Sequence, residues 1–179
     1  MSTLTIIICI ILGIVVFICI AAVFSPNQWS IQAEAIIDKP RQDVFDYIKI
    51  LKNSEHFNKW VMTDPKMKKE FKGTDGTIGF VYSWNSKNKS VGEGSQEIIR
   101  LIEGERIDYE IRFIKPFEGI SSASISTESI SNSQTKVVWV FSSSNTYLMK
   151  IMHVLLNLKK VLLKDLQTSL NNLKNILEK

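Results

Sequence analysis

The sequence predicts an α+β fold: a curved antiparallel sheet covered by one long C-terminal helix, with a separate apolar helix ahead of both. Three observations carry this reading. Residues 4–24 are almost uninterruptedly apolar. The middle of the chain is a succession of short alternating segments divided by polar turns. From Thr146 onward, leucines and isoleucine recur at steps of three and four. Period two marks strands wet on one side, and steps of three and four mark one face of a helix.

The apolar run comes first. No Asp, Glu, Lys or Arg precedes Glu34, and about 20 apolar residues in a row match the thickness of a bilayer core. A helix is the form in which a single segment satisfies its own backbone there. A cleaved signal peptide is the competing reading. Against it stand the lack of a basic residue ahead of the run, its length, and Ser25-Pro26 in place of a small-x-small cleavage site. The expectation is a single-pass anchor over residues 1–26, spanning with residues 4–24, and a soluble domain over residues 27–179. Lys39 and Arg41 follow on the C-terminal side, which leans towards a cytoplasmic domain. Cys9 and Cys19 both fall in the run, so the domain has no disulfide framework and no thiolate metal site. The net charge of +4 lies entirely outside the run and favours an anionic membrane surface.

In chain order, Trp29–Asp38 alternates as a strand with Ile31, Ala33, Ala35 and Ile37 on one face. Pro40 then opens a helix carrying Val44, Phe45, Ile48 and Leu51. Asn53–Trp60 reads as a further short helical turn. "GTDGTIG" is a turn signature. Phe80, Tyr82 and Trp84 alternate after it, "NSKNK" turns, and "EGSQEIIRLI" resumes the extended pattern. Arg106–Phe113 is the clearest strand, with Ile107, Tyr109, Ile111 and Phe113 opposite Asp108, Glu110 and Arg112. "SSASIST" and "TKVVWVF" add two more. The final helix is expected to run from Thr146 for about eight turns, its leucine stripe covering the apolar face of the sheet.

Gly92 and Gly94 raise the question of a phosphate loop. Such a loop needs glycines between a strand and a helix, where backbone N–H groups meet the anion. Here a strand follows, no third glycine has the required spacing, and no GK[ST] occurs. The pair is expected to mark a bulge or bend in a strongly curved sheet.

The order strand, two helices, a run of strands and one long helix resembles the helix-grip fold of the START and Bet v 1-like (SRPBCC) superfamily. Within it, "FNKW", "DPKM", "GTDGTIGFVYSWNSKNKSVGEGSQEI", "KPFEG", "TKVVWVF" and "LNNLKNILE" look like the bacterial polyketide cyclase/dehydrase-like branch. The likeness covers Trp29 to Lys179. It implies a sheet gripping the C-terminal helix, with an apolar cavity between them. The N-terminal run lies outside it.

Catalytic constellations are thin. With two histidines and no cysteine cluster, neither a metal nor another cofactor is expected. His153, on the helix that would roof the cavity, is the one candidate general base; a boundary histidine is the plainer reading. His56 reads as a surface or capping residue. Glu93 and Glu97 share a strand face and read as exposed. Arg100 and Arg112 have acidic neighbours across the sheet. The aromatics are the stronger set. Trp60, Phe80, Tyr82, Trp84, Tyr109, Phe113, Trp139 and Phe141, with Met149, Met152 and His153, are the expected lining of the cavity, shared with the core. The chain is expected to bind a hydrophobic small molecule or lipid beside the membrane, with no nucleic-acid partner. A cyclase or dehydratase acting on a polyketide-like substrate is one alternative. A filled-core interaction domain is another.

Overall fold

The computed structural model describes residues 2–24, 26–144, 149–151 and 157–179. Helix α1 spans Thr3–Phe24 and is the one helix among the described residues long and apolar enough to cross a membrane. Strand β1 (Gln28–Ile37) follows, then α2 (Arg41–Lys49), a 3₁₀ turn (Leu51–Asn53) and two short helices, α3 (Ser54–Phe57) and α4 (Lys59–Thr63). Six strands come next: β2 (Lys68–Lys72), β3 (Val81–Asn85), β4 (Glu93–Ile102), β5 (Arg106–Lys115), β6 (Gly119–Ser131) and β7 (Gln134–Ser144). Helix α5 (Leu158–Leu177) closes the fold.

The seven strands form one antiparallel sheet in the order β1-β7-β6-β5-β4-β3-β2. The meander β2–β7 needs only hairpin turns, and β1 closes onto the last strand. Register gives the sheet two ends. Gln28 pairs with Ser144, Phe113 with Gly119, Glu93 with Lys115 and with Asn85, and Asn85 with Lys68. These positions form the end nearest α1, because Gln28 follows Phe24 by a few residues. The turns at Glu103–Glu105 and Ser131–Gln134 lie at the far end.

The inner face of the sheet is apolar, as the alternation requires. Ile37, Ile98, Ile107, Tyr109, Ile125 and Val137 are fully or nearly fully buried. Against their far half pack Val44, Phe45 and Ile48 of α2. Helix α5 lies along β1 in the same direction. Its Gln167 amide donates to the Glu34 carbonyl (3.2 Å) and its Lys174 ammonium to the Ile36 carbonyl (2.7 Å). The Asp38 amide in turn donates to the Glu178 carboxylate (2.7 Å). Leu166, Leu170 and Leu173, the expected stripe, are wholly buried.

Two expectations are corrected. The C-terminal helix was expected to start at Thr146, but α5 begins at Leu158, after Asn157 in the left-handed region (φ 47°). A residue with positive φ interrupts a right-handed helix. Ile151 is helical, while Leu148 and Leu155 lie outside the described residues. The second correction is β2, a strand that no alternation announced. KKEFK is an edge strand with its side chains largely in water, and lysines on an edge discourage further pairing.

Candidate functional site

The cavity occupies the half of the inner face nearest α1. Its walls come from the later residues of β3, β5 and β7, the earlier residues of β4 and β6, helix α4 and the start of α5. In the far half, Val44, Phe45 and Ile48 of α2 pack into the core. The cavity measures about 190 Å³ and its wall is mainly apolar.

Each aromatic wall has a local cause. Trp60 is presented by α4, whose first turn is fixed from three directions. The Asn58 side chain accepts from the Trp60 amide (3.0 Å), an N-cap that satisfies an orphan donor. The Lys59 amide donates to Ser169 of α5 (2.9 Å), and Asn172 of α5 donates to the Phe57 carbonyl (3.2 Å). Trp60 thereby meets Trp139 edge to face at 6.5 Å, and Phe57 meets the same ring at 6.2 Å. On the opposite wall, Trp84 contacts Phe113 edge to face at 6.1 Å and Tyr82 at 6.0 Å.

The two glycines find their purpose here. The Trp84 indole N–H donates to the Val91 carbonyl (3.2 Å). A Cβ on Gly94 would stand 2.7 Å from the same ring and 2.6 Å from the Arg112 carbonyl oxygen. Gly92 has φ +66°, and a Cβ there would meet the Lys115 carbonyl oxygen at 2.1 Å. The ladder between β4 and β5 shifts register between Glu93 and Gly94. The pair is therefore a strand bulge that seats a tryptophan.

Tyr82 is the polar feature of the wall. The residue is buried, with a relative exposure of 4%, and its hydroxyl has no hydrogen-bond partner among the described residues. Burial, and secondarily the Glu55 carboxylate, push its acidity well below that of an ordinary phenol, so it is a neutral donor. Phe71 stacks on its outer side at 5.4 Å. Gln96, its partner across the β3–β4 ladder, also lines the cavity.

The expected site residues divide accordingly. Trp60, Tyr82, Trp84, Phe113, Trp139 and Phe141 line the cavity. Phe80 and Tyr109 do not. Both are 1% exposed and belong to the filled far half, Phe80 against Phe71 at 6.2 Å. Met149 is half-buried and outside the lining. Met152 and His153 lie outside the described residues. Sequence reasoning missed Gln96, although it placed Glu93 and Glu97 on one face and so implied an inward Gln96 between them. It also missed Val61, Met67 and Leu162, whose apolarity alone does not separate lining from core.

The carboxylates do no acid–base work that the geometry supports. Glu93 pairs with Lys115 (2.6 Å) and Glu97 with Arg112 (3.0 Å), on the outer face. Glu110 also pairs with Arg112, and Asp108 with Arg106 (2.7 Å). Among the described residues no group of His, Cys, Asp and Glu could hold a metal ion. His56 is exposed, its Nδ1 3.5 Å from the Tyr47 hydroxyl.

No protein-family model matches the chain, and no curated protein matches it. Solved structures do. Protein CV1439 from Chromobacterium violaceum is 17% identical, with a TM-score of 0.59 over 87% of this chain and 99% of that one. The Aha1 dimer from Colwellia psychrerythraea is 16% identical, with a TM-score of 0.57 over 84% and 96%. DynU16, a protein in the dynemicin biosynthetic locus, is 9% identical, with a TM-score of 0.58 over 86% of this chain and 48% of that one. At such identities the likeness is one of fold, and the fold is the helix grip.

Proposed function

We propose that this chain is a membrane-tethered binding module for a small apolar molecule that carries one neutral polar group. The observation that carries the reading is the cavity itself: three tryptophan rings and a phenylalanine-rich wall around a buried tyrosine hydroxyl with no partner among the described residues. An unpaired buried hydroxyl costs about 1–3 kcal/mol. A ligand oxygen that accepts its proton recovers that cost. Size narrows the class. An engineered apolar cavity of about 150 Å³ holds a benzene ring, so about 190 Å³ suits a substituted ring or a short branched chain segment, and not a whole two-chain lipid.

The apolar α1 supports the tether, since a greasy ligand partitions into the bilayer beside which the cavity is held. Lys39 and Arg41 support a cytoplasmic domain. The cavity stands against a solidly filled core.

The test is native mass spectrometry of the full chain, delipidated and then offered a bacterial lipid extract. A discrete bound mass below that of a phospholipid is expected. Trp84→Ala should lose it. Tyr82→Phe should weaken it while raising the stability of the free chain by about 1 kcal/mol, because the unpaired hydroxyl is gone. A bare mass from folded protein, or capture unchanged in both variants, would sink the reading.

A further inference from the structure

The anchor end of the sheet is basic. Lys66 precedes β2, Lys87 and Lys89 lie in the β3–β4 turn, Lys115 ends β5, and Lys159 and Lys160 begin α5. The pairing register and the hydrogen bonds of α5 along β1 bring these separate stretches to one end. Asp64, Glu70, Glu93 and Glu118 are acids near that end, and three of them are engaged: Asp64 with Ser86, Glu70 with Lys68 and Glu93 with Lys115. No described residue forms an ion pair with Lys66, Lys87, Lys89, Lys159 or Lys160. The far end is mixed in sign, with Asp75, Glu103 and Glu105 standing among Lys49, Lys52 and Arg106. Exposed Phe117, in the β5–β6 turn, adds an apolar tip to the basic end.

We propose that this basic end docks flat on an anionic bilayer surface and holds the cavity-bearing half of the sheet towards the lipid headgroups. Gln28 is four residues beyond Phe24, a reach of about 14 Å at most. The sheet end therefore stays close to the membrane in which α1 is held. Attraction to anionic headgroups fades over a Debye length, about 8 Å at physiological salt, so lysines at the anchor end feel it and charges at the far end do not. The anchor supplies proximity, and the lysines supply orientation. A membrane is favoured over any other polyanion because the chain itself brings that surface within reach. The inference rests on the tether in the proposed function.

The experiment is hydrogen–deuterium exchange of the full chain in nanodiscs of phosphatidylcholine, with and without phosphatidylglycerol. Phosphatidylglycerol should slow exchange in residues 86–91 and 115–119 and leave 103–105 and 131–133 unchanged. High salt should abolish the difference. So should the combined variant K66Q/K87Q/K89Q/K159Q/K160Q, in which four of the five positions are exposed and Lys159 is half-buried. Equal exchange of the anchor-end turns in both discs, from chain that stays in the discs, overturns the docking surface alone. A chain that leaves the discs overturns the tether, and this inference with it.

Discussion

Trp84 is held from several sides, and Gly94 is the side that tolerates no change. The Val91 carbonyl takes its indole proton, Phe113 meets it edge on, and Gly94 lies beneath it. Gly94→Ala would place a methyl 2.7 Å from the ring and 2.6 Å from a backbone oxygen. The ring can turn away, but the backbone oxygen cannot. Overpacking of this kind costs about 1–3 kcal/mol, which lowers the melting temperature of a domain this size by several degrees. The expected outcome is that drop together with a red-shifted tryptophan emission, as Trp84 leaves its seat. An unchanged melting curve would mean that the bulge does not seat the ring. At this scale the sequence was partly legible. "GEG" between two strands identifies a bulge, because a phosphate loop needs a helix after it. That the bulge serves Trp84, ten residues earlier, depends on register, which no local pattern states.

The elements were readable wherever burial was one-sided. β5 alternates cleanly because one face meets the core and the other meets water, and the α5 stripe is clear for the same reason. β2 was invisible because both of its faces are largely wet, so selection for alternation is weak. The start of α5 was misplaced because leucines continue at helical spacing through a position where the backbone turns left-handed at Asn157. Apolar periodicity reports which side faces the core and does not report whether the hydrogen-bond ladder is continuous. Helix α5 offers its own test. Leu170 is wholly buried, whereas Leu163, one face away, is 39% exposed. Leu170→Ala should cost about 2–5 kcal/mol through lost burial and the space left behind. Leu163→Ala should stay within about 0.5 kcal/mol. Denaturant unfolding of the two variants checks the pair, and similar costs would mean that α5 is rotated from the position described.

At the scale of the molecule, the fold is divided: a half packed by α2 and a hollow half beside α1. No local pattern marks that division, since the same aromatic alternation runs through both halves, and Tyr109 and Tyr82 look alike in it. Their surroundings differ, yet both rings are buried and both phenols are pushed to higher pKa. For Tyr109 the first cause is burial, then the negative charges of Asp75 and Asp108. For Tyr82 it is burial, then Glu55. The sign of the linkage follows from which state holds its protons. Above an ordinary phenol pKa of 10.0, the unfolded chain releases both protons while the folded chain keeps them. Stability contributed by these tyrosines is therefore complete below pH 10 and is lost as pH rises towards the folded values, at about 1.4 kcal/mol per pH unit for each group. Lysines titrate in the same range, so the comparison must be internal. Tyr109→Phe and Tyr82→Phe should each flatten the alkaline fall in unfolding free energy relative to the parent chain, whatever their effect at neutral pH. Parallel curves above pH 10 would mean that one or both hydroxyls reach water in the folded chain. For Tyr82 that result would open the hollow half to solvent and remove the unpaired donor on which the proposed ligand recognition depends.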